Sequence, residues 1–228
     1  MNLKTFLLSA MILMFTCSCS GTYHAYYQTL QIALSEPEDA QVTLIKVQQS
    51  EIDIISVKRG ERPSAIMALA YLENEQHKWV SGDNAMLIME KGRIIRTLGL
   101  RENLLYLSNT ELDPLKSLPL TFNSEPKGLT WSRMADKTGD EYGYPISSVF
   151  NQTSPDKLKV LGLNIETTLY IETLTYEVPA NYLQLNKSWK NYFWYEKSGK
   201  MIKSIQKTSP LSESLEITYL SRIARLNQ

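Results

Sequence analysis

The chain has 228 residues, 24 Lys and Arg against 24 Asp and Glu, and a hydrophobic fraction of 43%. That length suits one domain, or one with a small appendage, and the apolar content is ample for a core. A formal net charge of zero with no basic run argues against nucleic-acid binding and against adhesion to anionic lipid by charge.

The first element is an apolar run from Phe6 to Phe15 behind a single cation, Lys4. A basic start, an apolar middle and a small-residue end make a secretory signal. The run is too short to cross a bilayer, which takes roughly 20 apolar residues. It closes on Leu13-Met14-Phe15-Thr16-Cys17-Ser18-Cys19-Ser20. This stretch resembles the lipobox of bacterial lipoproteins, where a small residue precedes a Cys whose thiol takes a diacylglyceryl group. Cys19 follows the small Ser18 and is the expected attachment site; Cys17, after Thr16, is the alternative. Such boxes usually carry Leu three places before the Cys, where this chain has Thr16. A buried methylene contributes about 0.8 kcal/mol, so several acyl chains together hold firmly. The expected division is a signal peptide at 1–18, a lipidated tether with a short helix at 19–41, and an antiparallel β domain at 42–228. Cleavage removes Lys4, leaving 23 basic against 24 acidic residues. It also removes Cys17, so no disulfide is expected. An Asp after the lipidated Cys favours inner-membrane retention; Ser20 there implies the outer membrane.

His24 to Leu34 could form a short helix, with Tyr27, Leu30 and Leu34 on one face, ended by Pro37. Strand signals dominate from Val42 onward. The β-branched run Ile52 to Val57 ends at Arg59-Gly60. Ala65 to Leu72 is apolar on both sides and reads as a strand covered on both faces, or as a helix. Trp79-Val80-Ser81 precedes a turn at Gly82-Asp83-Asn84. Ala85 to Leu98 reads as a β-hairpin whose turn needs a positive φ at Gly92. Asp113-Pro114 and Pro119 break the next segment. Leu120 to Gly143 is less regular, with Asp136 to Glu141 as an exposed loop. Strands are expected at Lys157 to Leu163 and Thr167 to Tyr176, with Pro179 interrupting. Asn191 to Tyr195, a turn at Glu196 to Gly199, and Lys200 to Lys207 make a further hairpin. Leu215, Ile217 and Tyr219 alternate in a last half-buried strand. Gly92 to Thr97 and Gly199 to Ser204 match by residue type at all six places. The expected fold is therefore all-β and mainly antiparallel, a curled or closed barrel-like sheet with one or two short helices.

Catalytic patterns are sparse. The two histidines, His24 and His77, have no spaced second ligand, so no metal site and no cofactor are expected. There is no GxSxG elbow, phosphate-cradling Gly loop or HExxH. Asp136, Asp140 and Glu141 are the best carboxylates for a glycan hydrolase, which needs two. Trp189, Tyr192, Phe193, Trp194 and Tyr195 crowd one strand, so both faces must carry aromatics. One face is core; Trp189, Tyr192 and Trp194 are candidates for stacking on a sugar or touching a protein. Arg93 and Arg96 make their hairpin polar enough for a buried ion pair or a docking patch.

Trp79-Val80-Ser81, Gly92-Arg93, Arg96-Thr97 with Gly99-Leu100, and Asp113-Pro114-Leu115 follow one another in order. Asn191 with Trp194, Gly199, Ser204 with Gln206, and Pro210 come later. From about Val42 to Ser221 this order resembles the YjbF family of group 4 capsule polysaccharide lipoproteins. The resemblance implies an outer-membrane lipoprotein of Gram-negative bacteria and a mostly antiparallel β domain. It also implies encoding beside other exopolysaccharide secretion or assembly proteins. It carries no catalytic residues. The expected function is a non-enzymatic, periplasm-facing lipoprotein supporting capsule or exopolysaccharide assembly or export. Its expected partners are outer-membrane lipid through acylated Cys19, other exopolysaccharide secretion proteins, and the polysaccharide; nucleic acid is not among them. A lipid or acyl-chain carrier with a wide apolar cavity is the first alternative, and a glycan hydrolase the second.

Overall fold

The computed structural model describes residues 39–40, 42–118, 128–139, 141–177 and 187–226. The signal segment, Cys17, Cys19, the 24–34 helix and Pro179 lie outside the described residues.

Residues 39–226 form one unit built on twelve strands. These are β1 (Ile54–Arg59), β2 (Ala65–Glu73), β3 (Gln76–Ser81), β4 (Met86–Glu90), β5 (Arg93–Leu98) and β6 (Leu104–Leu107). Then come β7 (Leu129–Lys137), β8 (Glu141–Val160), β9 (Leu163–Tyr176), β10 (Ser188–Glu196), β11 (Met201–Gln206) and β12 (Leu215–Thr218). Two short helices, α1 (Leu44–Gln48) and α2 (Leu220–Ala224), complete it.

The spatial order is β5-β4-β3-β2-β1-β12-β11-β10-β9-β8-β7-β6, and neighbouring strands pair antiparallel. Two meanders, β1–β5 and β6–β12, are joined where β1 pairs with β12, with Val57 opposite Ile217. The sheet curls until its ends, β5 and β6, approach without a ladder between them. Across that seam Leu104 N–H donates to Thr97 Oγ1 at 2.9 Å. The result is the barrel-like antiparallel sheet expected from the strand pattern, closed except along one seam.

Alternation along each strand sends one set of side chains inward. The interior holds Ile55, Trp79, Leu87, Met89, Trp131, Phe150, Leu174, Phe193 and Ile217 among others. A second cluster forms outside the sheet. Ile202 on β11 and Ile165 on β9 are buried beneath Ile223 of α2. Helix α2 also packs Leu220 and Ala224 against Val47 of α1, and Ser221 Oγ accepts from Ile54 N–H at 2.8 Å. The long β8–β9 hairpin therefore serves two cores: Tyr170, Glu172 and Leu174 face inward, while Ile165 nearer its tip is covered by the helix layer.

Four expectations need correction. Val42 onward does not start as strand; Thr43 caps α1, accepting from Lys46 N–H, and the first strand begins at Ile54. Ala65 to Leu72 is the strand of the two alternatives, with a bulge between Leu69 and Tyr71, but it is not covered on both faces, since Tyr71 and Leu72 are exposed. The segment 120–143 contains a regular nine-residue strand, β7. Asp136 and Lys137 belong to it, and their exposed-loop reading shrinks to a turn around Gly139. Finally, Lys157 to Leu163 is not one strand: the chain reverses at Leu161-Gly162, both with positive φ, and pairs Val160 with Leu163.

Candidate functional site

The middle of the barrel is polar. Arg93, at the start of β5, is 3% exposed. Its Nε and Nη2 donate to Asp113 Oδ2 and Oδ1 at 2.8 and 3.0 Å. Its Nη1 donates to Glu172 Oε2 at 2.6 Å. Arg133 on β7 meets the other oxygen of Glu172 at 3.3 Å and donates to Ser148 Oγ at 3.0 Å. The guanidinium of Arg133 lies 3.9 Å from the Trp131 ring centroid, and that of Arg93 lies 5.1 Å from Phe193. Two cations and two anions thus neutralise one another inside an aromatic shell, the condition under which buried charge is tolerated. Burial opposes ionisation of Glu172, but the two guanidinium groups outweigh it and hold its pKa below the ordinary value. Burial likewise opposes the charge on Arg93, and Asp113 and Glu172 more than offset that. For Arg133 burial wins and lowers its pKa to about 10, so it stays charged at neutral pH.

Asp113 does a second job. Its Oδ1 accepts from Leu115 N–H at 3.0 Å and caps the 3-10 turn Pro114–Lys116. Arg93 therefore pins that turn to the barrel wall. Asn191 donates to Glu172 at 3.4 Å and accepts from Lys207 N–H at 2.8 Å. Several residues of the sequence pattern thus belong to one connected core network.

Above this network, at the mouth where β4, β10 and β12 end and β5 and β11 begin, lies a cavity of about 540 Å³. Its wall is aromatic: Trp79, Tyr195, Tyr219 and His77. His77 stacks on Trp79 at 6.2 Å, and Trp79 meets Tyr219 edge-on at 6.2 Å. Its rim is cationic: Lys91, Lys116, Lys200, Arg222 and Arg225, with no Asp or Glu among the described lining residues. Some of these cations have partners outside the cavity. Lys116 meets Glu90 at 2.7 Å, and Arg225 meets Asp53 at 2.7 Å. Arg222 donates to Met201 O at 3.0 Å and lies 3.9 Å from the Tyr219 ring centroid. Lys200 forms no salt bridge among the described residues. Burial, then the charge of Arg222, pulls the His77 pKa down, so this ring is neutral at pH 7.

Among the described residues, Trp79 Nε1 and Tyr195 Oη have no hydrogen-bond partner. Both side chains are buried, at 2% and 4% exposed. An unsatisfied buried donor costs about 1–3 kcal/mol. Burial, then Tyr219, pushes the Tyr195 pKa up, so its hydroxyl remains a donor.

The two look-alike hairpins meet here. The β4–β5 turn supplies Lys91 and Gly92, and the β10–β11 turn supplies Gly199 and Lys200. Gly92 has φ +91°, and a Cβ on it would fall 2.5 Å from Met201 Sδ. Only a glycine allows that approach without displacing Met201.

The expected contact residues divide between faces. Arg93 is in the buried quartet, the first of its two expected settings. Arg96 is exposed on β5. Trp189 is inside, donating to Lys207 O at 3.0 Å and packing on Tyr176 at 5.0 Å. Tyr192 and Trp194 stack at 6.1 Å on the outer face, and Trp194 Nε1 donates to Asp156 at 2.8 Å. Of the carboxylates expected for a hydrolase, Asp136 accepts from Gly143 N–H at 2.7 Å across its own hairpin. Asp140 and the Glu141 side chain lie outside the described residues. Among the described residues no cluster of His, Cys, Asp or Glu could hold a metal, and no helix is long and apolar enough to cross a membrane. The wide apolar cavity required of an acyl carrier is not what the described interior holds. The quartet and its aromatic shell occupy the middle, and the large cavity is ringed by cations.

Sequence reasoning missed Tyr195, Tyr219, Lys200 and Arg222 as site residues. The one available signal was the match between the two hairpins, whose turns converge on the mouth.

The family model described as "Group 4 capsule polysaccharide lipoprotein gfcB, YjbF" matches residues 27–220. The chain belongs to the YjbF family. Among similar proteins, the YjbF-family lipoprotein GfcB of Escherichia coli K12 is 27% identical over 217 residues, covering 94% of this chain and 97% of that one. The lipoprotein YjbF of the same strain is 27% identical over 191 residues, covering 83% and 84%. Both carry the description "uncharacterized lipoprotein". The crystal structure of the hypothetical lipoprotein YmcC from E. coli K12 superposes with a TM-score of 0.68 at 28% identity, covering 79% of this YjbF-family chain and 89% of YmcC. The fold is thus shared with a solved lipoprotein. As a member of this family the chain is a capsule-related lipoprotein.

Proposed function

We propose that this YjbF-family chain is an outer-membrane lipoprotein, anchored through Cys19 and facing the periplasm, that supports capsule or exopolysaccharide assembly or export without catalysing a reaction. It works by docking a secretion partner or the polymer. The observation that carries the reading is the mouth cavity. It is ringed by cations over aromatic side chains, and among the described residues no carboxylate lines it to serve as base or nucleophile. A neutral, stacked His77 alone does not make an acid–base pair. Such a lining suits holding rather than cutting. The capsule polysaccharide named in the family description supplies the context.

The test is genetic and chemical. In a strain lacking the chain, surface polysaccharide should fall and return with the wild-type copy. Cys19→Ser should release the protein from the outer-membrane fraction and fail to restore polymer, while Cys17→Ser should restore it. Purified protein incubated with the polymer should leave its chain length unchanged. Normal polymer in the deletion strain, or shortening of the polymer by the protein, overturns the proposal.

A further inference from the structure

We propose that the end of the barrel opposite the mouth rests on the membrane surface, with Leu211 entering the headgroup layer, so that the mouth opens away from the bilayer. This deepens the reading above and rests on it for the anchor at Cys19; the choice of face rests on the structure. The segment that links Cys19 to the domain joins it at this end. Asp39 Oδ1 accepts from Ser64 N–H at 2.7 Å, and Ala40 N–H donates to Ser64 O at 3.1 Å. Ser64 lies in the β1–β2 connection, at the same end as the β5–β6, β7–β8 and β11–β12 connections. Gly60 N–H, in that β1–β2 connection, donates to Ser214 O at 2.9 Å, so the 207–214 loop stands beside the point of entry. An anchor on the entering segment brings this end to the bilayer before the mouth.

The second, independent observation is what this end exposes. Leu211 is 89% exposed, the highest value for a large hydrophobic among the described residues. Its loop is braced. Ser212 Oγ accepts from the N–H groups of Thr208 and Ser209, both at 3.1 Å, and Ser212 N–H donates to Ser209 Oγ at 3.1 Å. Lys207 Nζ donates to Pro210 O at 2.8 Å. The leucine is therefore held outward in one place, and little backbone freedom is lost when it inserts. Arg62 and Arg101 line the same hollow as Leu211 and are exposed; their stems can lie along lipid while their heads stay at the level of the phosphates. Tyr142, 62% exposed, follows the β7–β8 turn at this end, and tyrosine favours the membrane–water interface. Glu102 and Glu213 line that hollow too, and Glu213 meets Arg59 at 3.1 Å, so the end carries little net charge. The contact is thus apolar insertion with phosphate bonding that zwitterionic lipids also offer, in keeping with a chain that has no basic run. It is small, and holds because the anchor keeps the local lipid concentration high.

The experiment supplies the anchor chemically, which separates this surface from acylation in the cell. Residues 19–228, whose one thiol is Cys19, are coupled to a maleimide lipid in vesicles of phosphatidylcholine and phosphatidylethanolamine. Amide hydrogen exchange is then compared with that of the uncoupled chain. Exchange across 207–214 should slow about threefold or more on tethering, while the mouth turns at 91–92 and 197–200 keep their rates. Adding phosphatidylglycerol or high salt should change that protection less than about twofold, because charge does not drive it. Leu211→Ser should remove the protection and leave the melting temperature unchanged, since the side chain lies outside the core. Protection at the mouth, no protection at 207–214, protection that needs phosphatidylglycerol, or full protection in Leu211→Ser each overturns the proposal. If the tethered chain docks by this end yet Cys19→Ser stays in the outer-membrane fraction of cells, the surface stands and the anchored reading fails. If Cys19→Ser is released yet the tethered chain shows no protection, the anchor stands and the proposed surface fails.

Discussion

Gln206 lays its side-chain amide against the free edge of β5, accepting from Ile94 N–H at 3.1 Å. The same amide donates to Gly92 O at 2.8 Å and to Ser204 Oγ at 3.0 Å. It does for β5 what a neighbouring strand would do, and so satisfies an edge that the open seam leaves unpaired. Gln206→Ala should leave two buried backbone groups without partners. The expected loss is roughly 2–4 kcal/mol, since each orphan costs about 1–3 kcal/mol. Denaturant unfolding gives the total, and faster hydrogen exchange at the Ile94 amide locates it. An unchanged Ile94 exchange rate would show that β5 does not depend on this amide.

The buried quartet makes a sharper prediction. Glu172→Ala leaves Arg133 with no anion and Arg93 with only Asp113. Breaking a buried pair typically costs about 3–5 kcal/mol. Adding Arg133→Met restores neutrality, so the double variant should recover a good part of that loss. The cycle reads the coupling directly; additive losses would mean that the two residues do not interact.

Acid should weaken the fold through the same residue. Glu172 has a folded pKa below the ordinary glutamate value of 4.5. The unfolded chain therefore binds the proton first as pH falls. The contribution is fully present above about 4.5 and disappears as pH drops through the lower, folded value. Glu172→Gln should flatten the stability profile below pH 4.5 relative to wild type.

His77 acts in a milder range. Its folded pKa lies below 6.5, so protonation favours the unfolded chain. Its contribution is present above pH 6.5 and is lost as pH falls through the lower, folded value. His77→Gln should reduce the slope of melting temperature against pH below 6.5.

Gly92 and Met201 supply the last prediction. Gly92→Ala places a methyl group against Met201 Sδ at 2.5 Å and forces a positive φ on Ala. The strained backbone should cost about 1–3 kcal/mol. Met201→Ala added to it should relieve the contact but not the φ, so the pair should show partial, not full, rescue by thermal unfolding. Full rescue would place the whole cost in the contact.

Much of this architecture was legible in local pattern. The β4–β5 and β10–β11 hairpins follow from apolar alternation interrupted at Gly92 and Gly199, because strand period and turn φ are properties of a few neighbouring residues. The β12 alternation was equally plain. The β8–β9 turn was missed because Leu161 adopts a positive φ that its side chain does not advertise. β7 was missed because its outward positions, Ser132, Met134 and Asp136, blur the alternation beside a turn.

By itself the sequence determined the export signal pattern, the all-β class and the hairpins. Each depends on contacts between residues close in the chain. Only the tertiary structure decided that Arg93 sits in a neutral quartet with Asp113, Glu172 and Arg133, 20 to 79 residues away. It alone brought Trp79, Tyr195 and Tyr219 to one mouth. The physical reason is closure. Curling the sheet brings β5 beside β6 and joins β1 to β12, and which inward side chains then meet depends on the register of the whole barrel, which no single stretch encodes.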